Sequence, residues 1–308
     1  MARFGRVVTA MVTPFGTSGA LDVDAAVDLA RWLQANGNDG LVLAGTTGEA
    51  STLTDDERLT LWEAVARAVT IPVIAGSGSN DTAHSVDLTR RASTLGVAGI
   101  LAVGPYYNRP SQAGIAGHLR AMAQATGLPV IVYDIPVRTG RKIATSTLLS
   151  LAHELNNVVA LKDAGGNPAE TARVIAEAPA GFEVYSGDDG LTLPLLAVGG
   201  VGVVGVATHW TGLDHQAMFD AWDAGDHAAA TLVNQRLLSS FAFETGDEAP
   251  NPLPTKVMMN LLGHRVGDAR LPMGPPPPGL EERAQAVLAD LARWREAWPG
   301  RPVTTEVR

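Results

Sequence analysis

The chain of 308 residues contains only three lysines, and one of them closes an apolar run, Val158-Val159-Ala160-Leu161-Lys162-Asp163. Arginine carries nearly all the other positive charge, and its guanidinium stays protonated at working pH, so it cannot serve as an amine nucleophile. A lysine can, once desolvation lowers its pKa from about 10.4 toward neutrality. Lys162 at the mouth of a buried strand is therefore a candidate for Schiff-base chemistry, against the plain alternative of a surface lysine ending a strand. Tyr133 ends another apolar run and opens Tyr133-Asp134-Ile135-Pro136-Val137-Arg138-Thr139-Gly140. A tyrosine there could be a general acid or base beside an imine. Arg138 could grip a carboxylate through two parallel hydrogen bonds. A core tyrosine and a surface ion pair would leave the same trace.

Gly45-Thr46-Thr47-Gly48-Glu49 follows a third run. Its two hydroxyls and free backbone N–H groups could hold a carboxylate or phosphate, or could simply turn the chain and cap a helix. Pro105-Tyr106-Tyr107-Asn108-Arg109-Pro110 sets two of the four tyrosines side by side; for Tyr106 the expectation is surface packing or a subunit contact. Asp163, one residue past Lys162, should point to the other side of its strand and be structural. Ser186-Gly187-Asp188-Asp189 has no histidine close by and reads as a helix cap rather than a metal site. His209 and His215 do not have metal-ligand spacing. Gly199-Gly200-Val201-Gly202 precedes its strand, the wrong end for a phosphate loop, and points to tight packing.

The elements that must position these residues are short, β-branched and nearly all apolar: Val7–Val12, Gly40–Ala44, Ile71–Ala75, Gly99–Val103, Pro129–Tyr133, Val158–Lys162, Phe182–Tyr185 and Val201–Val206. Such runs predict strands buried on both faces of a parallel sheet. Helical patterns lie between them: Asp22–Asn36 ending at Gly37, a capping box at Thr54–Glu57, starts at Asn80-Asp81-Thr82 and at Ser111, then Thr145–Leu155 and Pro168–Ala178. The alternation predicts a (β/α)8 barrel over residues 1–225. A doubly wound sheet is the competitor, weakened because no Gly-x-Gly-x-x-Gly follows the first strand. Asp226–Phe243, Pro254–Leu262 and Leu280–Trp298 read as helices of a C-terminal appendage over 226–308. Met273–Gly279 forms a rigid turn rather than a polyproline ligand, and Arg301–Arg308 is expected to fray. In such a barrel the active site gathers at the C-terminal strand ends, where Lys162, Tyr133 and Thr46 all fall.

Net charge is −9, which argues against nucleic acid as a partner and leaves no basic membrane-binding stretch. With no cysteine, disulfides and thiolate catalysis are excluded. The N-terminal apolar stretch is short and meets Pro14, so a strand is expected rather than a signal peptide, and no run approaches the about 18 apolar residues of a membrane span. A cytoplasmic location is expected.

The ordered set Gly-Thr-Thr-Gly-Glu, Pro-Tyr-Tyr-Asn-Arg-Pro, Tyr-x-x-Pro-x-Arg-Thr-Gly and Lys162, continuing through Ser186-Gly187-Asp188-Asp189, Gly202-Val203-Val204 and Asn251-Pro252-Leu253-Pro254-Thr255-Lys256, resembles the dihydrodipicolinate synthase family of pyruvate-dependent class I aldolases. The resemblance covers the whole chain. It implies that Lys162 forms an imine with pyruvate, whose enamine attacks aspartate semialdehyde. It further implies that Tyr133, Thr46 and Tyr107 relay protons, the last lent by a neighbouring subunit. Thr47 would hold the pyruvate carboxylate and Arg138 that of the aldehyde, with Gly187 and the Val204 carbonyl lining the pocket. No cofactor or metal is implied, and the expected assembly is a homotetramer of two dimers. Gly104, Gly205 and His209 depart from the family pattern and keep a related aldolase or dehydratase for a sugar acid or other aldehyde as the alternative. A keto-acid-binding barrel without activity would be expected to lack one of Lys162, Tyr133, Thr46 or Tyr107, and a pyridoxal phosphate enzyme would need a phosphate cradle that is not evident. Asn80 and Tyr106 match the lysine feedback site of some members, but Ala50, Asp55, Arg58 and His84 do not, so feedback by lysine is expected to be weak or absent.

Overall fold

Alternating side chains on short apolar strands need cover on both faces, and the chain supplies it by closing the sheet on itself. The computed structural model describes residues 2–297. The strands are β1 (Val7–Ala10), β2 (Gly40–Leu43), β3 (Val73–Gly76), β4 (Gly99–Val103), β5 (Val130–Asp134), β6 (Val158–Asp163), β7 (Glu183–Ser186) and β8 (Gly202–Gly205). They form a closed barrel in sequence order with all neighbours parallel, β1 pairing with β8. The fold is a (β/α)8 barrel with helices added at the C-terminal end.

The helices are α1 (Val23–Ala35), α2 (Asp55–Ala68), α3 (Thr82–Ala92), α4 (Gln112–Gln124), α5 (Pro136–Thr139), α6 (Thr145–Glu154), α7 (Pro168–Glu177), α8 (Thr192–Ala197), α9 (Thr208–Asp223), α10 (His227–Phe243), α11 (Leu253–Leu261) and α12 (Leu280–Ala297). Several starts follow directly from capping chemistry. The Thr54 hydroxyl accepts the Glu57 N–H while the Glu57 carboxylate accepts that of Thr54, satisfying two N-terminal donors at once. Asp22, Asp81, Ser111, Asn167 and Asp226 cap α1, α3, α4, α7 and α10.

All eight expected strands exist, and the differences lie at their ends. Pro72 and Pro129 have no N–H to give a ladder, so β3 and β5 begin one residue after each proline. β1 stops at Ala10 because the Val12 N–H is taken by the His209 imidazole, 3.1 Å away, instead of by a neighbouring strand. α9 has no counterpart among the expected helices. Its sequence carries Gly212, a poor helix former, and its backbone is non-helical at Thr211 (φ −124°). The glycine is there for close approach: a Cβ on it would sit 2.4 Å from the Asn36 carbonyl oxygen at the end of α1. The glycines before β8 also serve packing, since a Cβ on Gly202 would lie 2.4 Å from the Arg6 carbonyl oxygen.

The period-2 alternation sorts side chains into two cores. Leu41, Leu43, Val73, Ala75, Ile100, Ala102, Val132 and Leu161 face outward and pack under the helices with Leu29, Leu33 and Trp62. Val8, Ala10, Val42, Ile74, Leu101, Ile131, Tyr133, Ala160, Tyr185 and Val204 fill the barrel interior. Leu161 faces out, so Lys162 faces in and Asp163 out. The outward Asp163 carboxylate accepts from the Thr171 hydroxyl at 2.6 Å and the Gly165 N–H at 2.8 Å, a structural role.

A third core joins Trp210 and Met218 of α9 to Leu237 of α10, Met258 of α11 and Leu291 of α12. Three buried polar contacts tie this helical layer to the barrel mouth. Glu244 accepts the Ala207 N–H at 2.9 Å. The Asn251 amide donates to the Thr47 hydroxyl at 2.8 Å. Lys256 meets Glu49 at 2.7 Å. Met273–Gly279 is the turn before α12. Among the described residues no helix is long and apolar enough to cross a membrane. The expected helix end at Trp298 and the expected fraying of Arg301–Arg308 lie outside the described residues.

Candidate active site

Of the three lysines, two are neutralised by carboxylates. Lys142 meets Asp134 at 2.9 Å and Glu170 at 3.2 Å. Lys256 is held by Glu49 and donates to the Asp268 carbonyl at 2.9 Å. Lys162 has no ion pair among the described residues, is 4% exposed and lines a cavity of about 530 Å³ at the C-terminal end of the barrel. Burial pushes its ammonium down to about 8; the Asp189 and Glu244 charges pull the other way and the Arg138 cation adds to the fall. A neutral amine is thus accessible near physiological pH, which imine formation requires.

Tyr133 stands beside it. The Lys162 Nζ is 4.4 Å from the centre of the Tyr133 ring, and the two residues are Cα partners across β5 and β6. Burial raises the Tyr133 hydroxyl well above its usual value, opposed by Arg138 and by the neighbouring Thr46 hydroxyl. Tyr133 is therefore a protonated phenol at rest, able to donate a proton to a developing alkoxide and take it back. Thr46, Thr47, Arg138 and Gly187 line the same cavity. A Cβ on Gly187 would sit 3.0 Å from the Lys162 Cγ and 3.1 Å from the Ala164 Cβ, so the absent side chain leaves the lysine its room.

Two of the expected site residues, Val204 and Tyr107, are not among those lining the cavity of their own chain. Val204 is fully buried in the barrel interior, and Val206, beyond the end of β8, lines the cavity instead. Tyr107 is 89% exposed and does not line the cavity of its own chain, with a left-handed φ of +71°, an unusual conformation for a bulky residue. Tyr106, expected in surface packing, lines an adjoining space of about 230 Å³ that shares Thr46, Tyr133 and Arg138 with the main cavity.

Sequence reasoning missed the residues the helical layer brings in. Phe241, Glu244, Thr245 and Asn251 complete the cavity wall; only Asn251 falls in a quoted motif, and it was given no role there, because all four follow the strand rhythm rather than belonging to it. Asp189 was read as a helix cap. Asp188 does cap, accepting the Gly190 N–H at 2.9 Å, but Asp189 is 1% exposed and accepts the Val206 N–H at 2.8 Å. His209 is fixed by the backbone at both ring nitrogens, accepting from the Val12 N–H and facing the Val206 carbonyl at 2.7 Å, and burial lowers it to about 4. At the mouth of α2, the Arg58 guanidinium is 5% exposed and donates to the Ala50 carbonyl, while His84 meets Asp55 at 2.9 Å.

The model of the dihydrodipicolinate synthetase family matches residues 3–291. 4-Hydroxy-tetrahydrodipicolinate synthase of Moorella thermoacetica is 48% identical over 275 residues, covering 88% of this chain and 92% of that protein. The enzyme of the same name from Bacillus subtilis is 46% identical over 274 residues, covering 88% and 94%. Among solved structures, the dihydrodipicolinate synthase of Cyanidioschyzon merolae with lysine bound superposes with a TM-score of 0.92 at 41% identity, over 95% of this chain and 99% of that one.

Proposed function

The chain belongs to the dihydrodipicolinate synthetase family, and on that premise we propose that it condenses pyruvate with L-aspartate 4-semialdehyde, as a 4-hydroxy-tetrahydrodipicolinate synthase does. The observation that carries this is the unpaired Lys162 amine, buried in the cavity with its pKa near 8.

Each step has a residue suited to it. The Lys162 nitrogen attacks the pyruvate ketone carbon and water leaves, giving an iminium that acts as an electron sink. Tyr133, having given its proton to the departing water, takes up a methyl proton and the enamine forms. The enamine carbon attacks the aldehyde carbon, and the resulting alkoxide takes a proton from Tyr133, whose hydroxyl is held neutral by burial. The amine of the bound semialdehyde displaces Lys162 from the iminium, closing the ring and restoring the free lysine. The sink is the iminium nitrogen itself, so the scheme calls for no organic cofactor or metal.

Thr47 is positioned to take the pyruvate carboxylate, its hydroxyl oriented by Asn251. Arg138 faces the same cavity with its charge free for the semialdehyde carboxylate. Gly187 clears space for Lys162, and the chain around Val204 and Val206 forms the floor. Thr46 links Tyr133 outward to a second tyrosine. Because Tyr107 of the same chain is exposed, that tyrosine is best supplied by a neighbouring subunit, making a dimer the minimal active unit and a pair of dimers the full assembly. The barrel domain, proposed over residues 1–225, carries the chemistry, and the segment from Phe241 to Asn251 in the C-terminal appendage proposed over 226–308 closes its mouth. A cytoplasmic location accords with a biosynthetic role.

The test is a substrate panel. Purified protein with pyruvate and aspartate semialdehyde should form the cyclic product, and sugar-acid aldehydes should turn over at least 100-fold less efficiently in kcat/KM. A preference for another aldehyde would retain the lysine chemistry and overturn the substrate.

A further inference from the structure

Behind Lys162 two carboxyl groups are buried against each other. Asp189 follows β7 and Glu244 follows α10; they lie within hydrogen-bonding reach, and each is already anchored by a backbone donor, Asp189 by the Val206 N–H at 2.8 Å and Glu244 by the Ala207 N–H at 2.9 Å. Asp189 is 1% and Glu244 8% exposed. Two carboxylate oxygens facing each other away from water need a proton between them, because like charges at that distance cannot both ionise. The chain has made room for this contact: a Cβ on Gly205 would collide with the Asp189 Oδ1 at 2.5 Å. That glycine was one of the departures from the family pattern in the sequence. On the far side, the His215 Nε2 lies 3.8 Å from the same oxygen, fully buried.

We propose that Asp189 and Glu244 hold one proton between them and present a single negative charge to Lys162, acting as a positioning pair that is the counter-ion of the pyruvate iminium. The inference rests on the Schiff-base role of Lys162 argued above. An ammonium plus a ketone gives an iminium plus water, so the lysine nitrogen carries one positive charge before and after the step. One negative charge matches both states. Two would hold the lysine protonated and starve the attack; none would leave the iminium unaccompanied in a low-dielectric pocket. Asp188, Arg138, Tyr133 and His215 are the other titratable or charged groups facing the pair or the lysine. Arg138 is committed to substrate, Asp188 caps the turn after β7, and His215 is held through Nδ1 by the Thr211 carbonyl at 2.9 Å. The pair is therefore the negative charge fixed in place at the lysine.

The test uses near-isosteric variants, Asp189→Asn, Glu244→Gln and the double variant, in the full chain. Each single variant leaves one carboxyl to carry the charge, so kcat should fall by less than about 5-fold, whereas the double variant should lose about 100- to 1000-fold, more than the product of the two. The pH midpoint for borohydride-trapped pyruvate adduct should stay near the wild-type value in both singles and move down in the double, since both carboxyls raise the lysine. A structural role would not move that midpoint. A single variant as impaired as the double, or a double variant with the wild-type kcat and midpoint, overturns the pair. If the double variant does not melt cooperatively, the singles decide: a midpoint displaced by a full pH unit in either one contradicts a shared proton. Wild-type protein that traps no pyruvate on Lys162 would instead defeat the proposed function.

Discussion

Tyr133 and Lys162 are Cα partners on adjacent strands, β5 and β6, and the lysine Nζ stands 4.4 Å from the tyrosine ring centre. The register of the barrel therefore sets the proposed nucleophile beside its proposed proton donor before any loop is considered. A β-ladder holds such a pair more tightly than loops could, and the inward face removes both from water.

Burial of Lys162 has a measurable cost. Its folded pKa of about 8 lies below the unfolded 10.5. Between those values the unfolded chain binds a proton that the folded chain does not, so stability rises with pH through that window, is complete above it and is missing below about 8. Lys162→Met should abolish pyruvate trapping yet stabilise the fold at pH 7 by an amount on the order of 1–3 kcal/mol. The gain should vanish by pH 10.5. Urea melts of both proteins at three pH values measure it; parallel curves at every pH would contradict a desolvated lysine.

Gly187→Ala should spare the fold and injure the chemistry. The new methyl would press on the Lys162 Cγ at 3.0 Å and the Ala164 Cβ at 3.1 Å. A displacement of a few tenths of an ångström at the nucleophile is expected to lower kcat by about 10- to 100-fold, with the melting temperature nearly unchanged. Steady-state kinetics beside thermal melts separate the two effects.

Tyr107, exposed and left-handed in its own chain, should act across a subunit boundary. Tyr107→Phe and Lys162→Ala homodimers should each be nearly inactive. Mixed after dissociation, they should regain about a quarter of wild-type activity: random pairing makes half the dimers hybrid, each with one intact site, and an added proton relay is worth about 10²- to 10⁴-fold. No recovery in a mixture that has demonstrably exchanged subunits would place the role of Tyr107 in its own chain, and a fully active Tyr107→Phe variant would place it outside the reaction.

L-Lysine should be a poor inhibitor. Arg58 is buried with its Nε and Nη1 unpartnered among the described residues, and the neighbouring His84 is already engaged by Asp55. A ligand ammonium brought beside that guanidinium meets like charge in a poorly solvated place. Titration with lysine to 1 mM should leave the rate within about 20% of its starting value; strong inhibition below that concentration would show that the arginine moves aside.

The barrel was legible because its signal is local and repeated: eight short apolar runs, most of them followed by a helical pattern, leave few ways to bury both strand faces. Lys162, Tyr133, Thr46 and Arg138 were legible because strand ends can be read directly. What the sequence hid lies where distant segments meet. Glu244 and Asn251 reach the cavity only because α9 and α10 fold back over the barrel mouth, and α9 was hidden by Gly212, chosen for contact with Asn36 rather than for helicity. Asp189 was misread because its partner lies 55 positions away in a helix-terminal segment without a motif.

Everything proposed here turns on Lys162 as the covalent nucleophile for pyruvate. Incubation with pyruvate, reduction with borohydride and peptide mass measurement test it most directly, with and without aspartate semialdehyde. A single pyruvate-derived adduct is expected on Lys162, none on Lys142 or Lys256, depleted when the semialdehyde turns over. Folded protein that yields no adduct, or carries it on another lysine, would contradict it.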